Sequence, residues 1–166
     1  MRHRVLWMED EALSDLATLT APIYSSGQYD LSVARDVTEG IRCLWTYEYS
    51  VVIVDIRLPP GSGQPWIDLW LASGASKPAS RLGLRLLESL FDPASAAVKL
   101  PPPPLWIDPA RFAVFTVEGE SEVADQLCRL RIEPYRQKSA RLPFTAVIDM
   151  IEQVISRQRD SVLREL

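Results

Sequence analysis

The 166-residue chain reads as an α/β protein, a doubly wound five-stranded parallel sheet with helices on both faces. Three observations predict this class. Short apolar runs alternate with single stretches of helical period, the pattern of consecutive βα units. The run Val51-Val52-Ile53-Val54 carries no polar position, as a strand covered on both sides requires. Four of the five runs end in polar or charged side chains (Glu9-Asp10, Asp55, Thr116 and Lys138), and in an open parallel sheet the carboxyl ends of strands are where ligands bind.

The first run, Arg4-Val5-Leu6-Trp7-Met8, stops at Glu9-Asp10-Glu11. Adjacent acids suit the positive end of a helix, and Leu13, Leu16 and Leu19 predict one over 12–19; the same acids could equally hold a cation. Pro22 ends or kinks that helix, and Ser25-Ser26-Gly27 turns the chain. Residues 29–33 alternate like a strand near a sheet edge. Asp36 and Glu39 form a capping-box pattern, opening a helix whose apolar face is Val37, Ile41, Leu44 and Trp45. The 50–55 strand follows and delivers Asp55 to a Pro59-Pro60-Gly61 turn. Taken alone, Asp55 reads as well as a turn cap as it does as a functional carboxylate.

Residues 64–71 predict a short helix with Pro65 in its first turn, 73–78 a loop, and 81–91 a packed helix through Leu82, Leu86, Leu87 and Leu90, stopped by Asp92-Pro93. Pro101 to Pro104 form a polyproline stretch, read as a stiff spacer, with a groove-binding ligand as the alternative. Residues 111–116 give a fourth strand ending in Thr116, and 120–130 a helix through Val123, Leu127 and Leu130. Residues 134–138 give an edge strand ending in Lys138. Phe144, Val147, Ile148, Ile151, Val154 and Ile155 draw a last helical stripe, with a solvated end beyond Ser156. The expected organisation is one domain over 1–160, with an insertion at about 62–110 and a tail at 161–166.

Composition narrows the chemistry. Apolar residues make up 47% and charged residues 24%, as in an ordinary globular core. A net charge of −4 disfavours nucleic acid and anionic membrane as partners. No run is long enough to span a bilayer and no signal peptide stands at the start, so a cytoplasmic location is expected. The single histidine, His3, leaves no basis for a histidine zinc site or a Ser-His-Asp triad. Cys43 and Cys128 read as buried thiols.

The motifs in order, Val-Leu-Trp-Met-Glu9-Asp10, Val-Val-Ile-Val-Asp55-Ile-Arg-Leu-Pro, Phe-Ala-Val-Phe-Thr116 and Tyr135-Arg-Gln-Lys138, resemble those of response-regulator receiver domains, the phosphoacceptor part of two-component signalling. The resemblance covers most of the chain outside 61–111. It implies a flavodoxin-like fold with Asp55 as phosphoacceptor, Thr116 and Lys138 as phosphoryl ligands and Tyr135 as a conformational switch. It also implies Mg²⁺ held by Glu9, Asp10, Asp55 and the Arg57 backbone carbonyl. The implied partners are a histidine kinase or histidine phosphotransfer protein and a downstream target protein, with homodimerisation through the last strand and helix as an addition.

Read this way the chain is a stand-alone receiver and not an enzyme in the turnover sense. Two departures stand out. The 61–111 connection is about thirty residues longer than the family's usual one, and such lengths tend to be functional; its Trp66, Trp70 and Trp106 are expected to pack on the domain or on a partner. Lys138 is followed by Ser-Ala-Arg-Leu before Pro143, which predicts an extended last loop. The competing readings are a receiver-like binding module that is never phosphorylated and an aspartate-nucleophile phosphohydrolase. The second generally has another Asp two residues on, where Arg57 stands.

Overall fold

Five parallel strands, in the order β2-β1-β3-β4-β5, form the centre of a computed structural model that describes all residues, 1–166. They are β1 (His3–Met8), β2 (Tyr29–Ala34), β3 (Val51–Val54), β4 (Phe112–Thr116) and β5 (Tyr135–Gln137). The topology is the doubly wound one expected for a receiver fold. Period-two alternation divides the strands between two cores. Leu6, Met8, Val52, Val54, Phe112 and Val114 face one, while Val5, Trp7, Val51, Ile53, Ala113 and Phe115 face the other.

The first core is roofed by α2 (Val37–Thr46), α5 (Leu82–Phe91) and α6 (Glu120–Arg129), the second by α1 (Ala21–Ser26) and α7 (Ala146–Arg164). The Asp36 cap forms: its carboxylate accepts from the Glu39 amide at 2.7 Å, while Glu39 reaches back to the Arg35 amide at 3.0 Å. The Pro59-Pro60-Gly61 turn docks on the start of this helix. Its carbonyls accept from the Val37 and Thr38 amides, and Gly61, with φ +73°, leaves no room for a Cβ beside Asp36.

The structure corrects several local expectations. No helix runs over 12–19; that stretch is turn followed by a 3₁₀ turn at Ala17–Thr20, and α1 begins only at Ala21. Pro22 has no amide to donate, which costs nothing in the first turn of a helix, and it sits in the first turn of the helix that starts at Ala21. Within the stretch 73–78 expected as loop, Lys77 and Pro78 instead open the one-turn helix α4 (Lys77–Ser80), capped by the Ser76 hydroxyl. Phe144 is exposed and precedes α7, so it is not part of that stripe, and the helix continues through the expected tail to Arg164. Cys128 is exposed and Cys43 half-buried, both as free thiols.

The long connection contains the crossover helix α5 itself, eight of whose ten residues are buried. Gly83 brings α5 against β3: its amide donates to the Ile56 carbonyl at 2.9 Å, and a Cβ there would lie 1.8 Å from the Asp55 carbonyl oxygen. Before α5 the connection carries two further helices, α3 (Gln64–Ala72) and α4. Trp66 is buried, and Leu69 and Trp70 pack on the α2–α5 side of the core. After α5, residues 92–108 wrap back with the four prolines in no regular structure, and Trp106 meets Tyr49 edge-on. All three tryptophans of this connection therefore pack on the domain. No helix is long and apolar enough to cross a membrane.

Candidate functional site

Parallel register carries four strand ends to one edge. Met8 lies beside Val54, Val54 beside Val114, and Thr116 beside Gln137. The ladder runs one bond past the strands, from the Asp55 amide to the Met8 carbonyl (3.0 Å) and from the Lys138 amide to the Thr116 carbonyl (2.7 Å). Carboxylate oxygens of Glu9, Asp10 and Asp55 thereby come within 4.8 Å of one another. The Lys138 ammonium bridges two of them, donating to Asp55 Oδ2 at 2.9 Å and to Glu9 Oε2. The extended loop before α7 does not displace Lys138; the last bond of the ladder holds its backbone in place.

Burial sets the electrostatics. Glu9 is fully covered, and burial first, then the Asp55 charge, push its carboxyl up to about 8 against the opposing pull of Lys138. Burial works to lower Lys138, but Asp55 and Glu9 outweigh it and its ammonium is held more firmly than usual. With Glu9 protonated, one buried ammonium faces one buried carboxylate in Asp55. The other Asp55 oxygen accepts from the Arg57 amide at 3.2 Å.

The Thr116 and Tyr135 side chains bond to the neighbouring β4–α6 loop rather than to the carboxylates. The fully buried Thr116 hydroxyl accepts, at 3.5 Å, from the Glu118 amide. The half-buried Tyr135 hydroxyl donates to the Glu118 carbonyl, and burial, followed by Glu120, Glu122 and Glu118, raises its pKa and keeps it a donor. Arg57 directs its side chain at the buried Glu118 carboxylate, with Nε at 3.4 Å.

Three participants went unread in the sequence. Glu118, two residues past the Thr116 strand end, is buried between Arg57 and Arg81, the latter donating through Nη2 at 2.7 Å and Nε at 3.1 Å. Lys77, on α4, bonds to Asp10. The Ser76-Lys77-Pro78 string could have signalled a capped helix start. Nothing local could have aimed Lys77 at a residue 67 positions away.

The fold has close counterparts of low sequence identity. A response regulator receiver domain protein (CheY-like) from Methanospirillum hungatei JF-1 superposes with a TM-score of 0.61 at 14% identity, over 97% of this chain and 99% of that one. The receiver domain of the Francisella response regulator 1452 gives 0.60 at 14%, over 95% and 99%. A Burkholderia pseudomallei response regulator, described with a phosphorylated aspartic acid, calcium ion and citrate, gives 0.56 at 17%, over 99% and 75%. No family model matches the chain and no curated protein matches it. The chain has the receiver fold, with an acidic cluster at the carboxyl edge of its sheet.

Proposed function

We propose that this chain is a receiver switch that accepts a phosphoryl group on Asp55 from a histidine kinase or histidine phosphotransfer protein in the cytoplasm. The observation that carries the reading is the convergence of Asp55, Glu9, Asp10 and Lys138 on one pocket from three strand ends. In transfer, an Asp55 carboxylate oxygen attacks phosphorus as the bond to the donor nitrogen breaks, and the donor imidazole keeps the electron pair. Lys138 stands on Asp55 and supplies a compact positive charge to the incoming phosphoryl oxygens. The Thr116 hydroxyl can turn from the Glu118 amide to donate to one of them.

The donor set fits Mg²⁺, since three carboxylates supply only hard oxygen ligands within reach of one ion. Glu9, Asp10 and Asp55 would hold it, joined by the Arg57 carbonyl. Bound there, the ion neutralises charge on the transferring phosphoryl group. The Burkholderia relative, with its calcium ion and phosphorylated aspartate, supports the same assignment. Switching would follow from movement of Thr116 and release of Tyr135 from the Glu118 carbonyl, remodelling the α6–β5–α7 face for a downstream target or a second copy of the chain.

Incubation with acetyl phosphate and Mg²⁺ tests the assignment: intact mass gains one phosphoryl group, and Asp55→Asn gains none. A gain that survives the substitution overturns the site. If wild type gains nothing and beryllofluoride with Mg²⁺ leaves tryptophan fluorescence unchanged, the binding-module reading replaces this one. Turnover of a small phosphate ester, abolished by Asp55→Asn, would instead indicate a phosphohydrolase.

A further inference from the structure

The insertion sends two cations to the strand-end pocket. Lys77 bonds to Asp10, and Arg81, four residues later, grips both carboxylate oxygens of Glu118. Lys77 and Lys138 serve one carboxylate cluster on different terms. The Lys138 side chain is 9% exposed and its partners Glu9 and Asp55 are 0% and 5%. Lys77 is 37% exposed against 19% for Asp10. A pair in contact with water is weakly held, whereas breaking a buried pair leaves a bare charge in a poor solvent.

The segment carrying Lys77 is also the easier one to move. Helix α4 is a single turn bracketed by Ala75 (φ 53°) and Arg81 (φ 49°), two residues with side chains in the left-handed region, where backbone conformation is unfavourable. Its Lys77 ammonium occupies the carboxylate that a divalent cation would need. A divalent cation on Asp10 would repel the Lys77 ammonium beside it, and Lys77, unlike the buried Lys138, can withdraw into water.

We propose that Lys77 is a built-in competitor for Mg²⁺: cation binding at Glu9, Asp10 and Asp55 expels Lys77 and loosens the single turn of α4, while α3 stays packed through Trp66. This deepens the metal-dependent reading above and rests on it. Release carries further than the pocket. Arg81 closes α4 and holds Glu118, and the Glu118 carbonyl holds the Tyr135 hydroxyl. Occupancy of the carboxylates is thus linked through consecutive contacts to the residue proposed as the switch.

The test is Mg²⁺ titration of the full chain by calorimetry, for wild type, Lys77→Met and the charge-preserving Lys77→Arg, with amide hydrogen exchange over α4. Lys77→Met is expected to bind Mg²⁺ about fivefold or more tightly than wild type, in the usual range of coupling between sites. Lys77→Arg is expected to stay near wild type, and Mg²⁺ is expected to speed exchange in wild-type α4. Equal affinity in wild type and Lys77→Met, or weaker binding by the variant, overturns the competition while leaving the metal site standing. No Mg²⁺ binding by either protein overturns the metal site and the inference together.

Discussion

Lys138 and Lys77 place like charges on one acidic cluster, and the difference between them separates the sheet from its insertion. Lys138 stands at a strand end whose position is set by a ladder of parallel pairing, and it meets Glu9 and Asp55 out of water. Lys77 stands on one turn of helix in a connecting segment and meets Asp10 at the solvent boundary. The first contact is a structural commitment, because its removal strands buried charge. The second is adjustable, because water replaces it at little cost. A regulatory contact belongs in the second region.

Substitution of the two lysines sharpens the contrast. Lys138→Met is expected to lower unfolding free energy by about 3 kcal/mol, at the low end for breaking a buried pair because Glu9 can hold a proton; urea denaturation at neutral pH measures it. Gly83→Ala is expected to cost about 2–3 kcal/mol by the same measurement, since the added methyl meets the Asp55 carbonyl rather than a yielding side chain. A loss under about 0.5 kcal/mol there would show that α5 is not fixed to β3 and would erase the distinction between α5 and the rest of the insertion.

The pH dependence of stability isolates Glu9. Its carboxyl is raised to about 8 in the folded protein from 4.5, so the folded state holds the proton more tightly than the unfolded chain. That contribution is fully present below about pH 4.5, and it is lost as pH rises through about 8. Metal-free protein should therefore show a stability decline from pH 5 to 8.5 that is smaller in Glu9→Gln, followed by thermal unfolding across buffers. An identical slope in the two proteins would mean that Glu9 is already ionised at low pH.

The smallest effect is expected at the adjustable contact. Lys77→Met should change unfolding free energy by no more than about 1 kcal/mol, even as it alters cation affinity. A loss comparable to that of Lys138→Met would break the comparison and make the α4 contact part of the scaffold. Arg57 adds a kinetic measure. Its side chain is engaged with Glu118, so, in the phosphoacceptor role proposed for Asp55, Arg57→Ala is expected to alter the lifetime of the phosphorylated protein, followed as loss of label, with little change in stability.

Much of this molecule was legible because its signals are local. An unbroken β-branched run such as Val51 to Val54 can only be a strand covered on both faces, and Asp36 with Glu39 caps a helix wherever it is packed. Pro22 marked the helix start that forms at Ala21, whereas three leucines at helical spacing did not suffice to make a helix over 12–19. Phe144 extended an apolar stripe by periodicity alone, and periodicity cannot tell whether the chain has yet entered the helix. The role of the long connection was out of reach, because which of its helices packs against β3 depends on contacts with residues far away in the sequence.

The sequence by itself determined the βα alternation, the parallel doubly wound class that follows from it, and the polar groups standing at the strand ends. Tertiary structure alone decided which of them meet, that Glu9 lies dry enough to hold its proton, and that Glu118 is buried between two arginines. It alone brought Lys77 to Asp10. The physical reason is range. Strand and helix signals are written within a few residues, whereas charge pairing and desolvation depend on what packs against a group from tens of residues away.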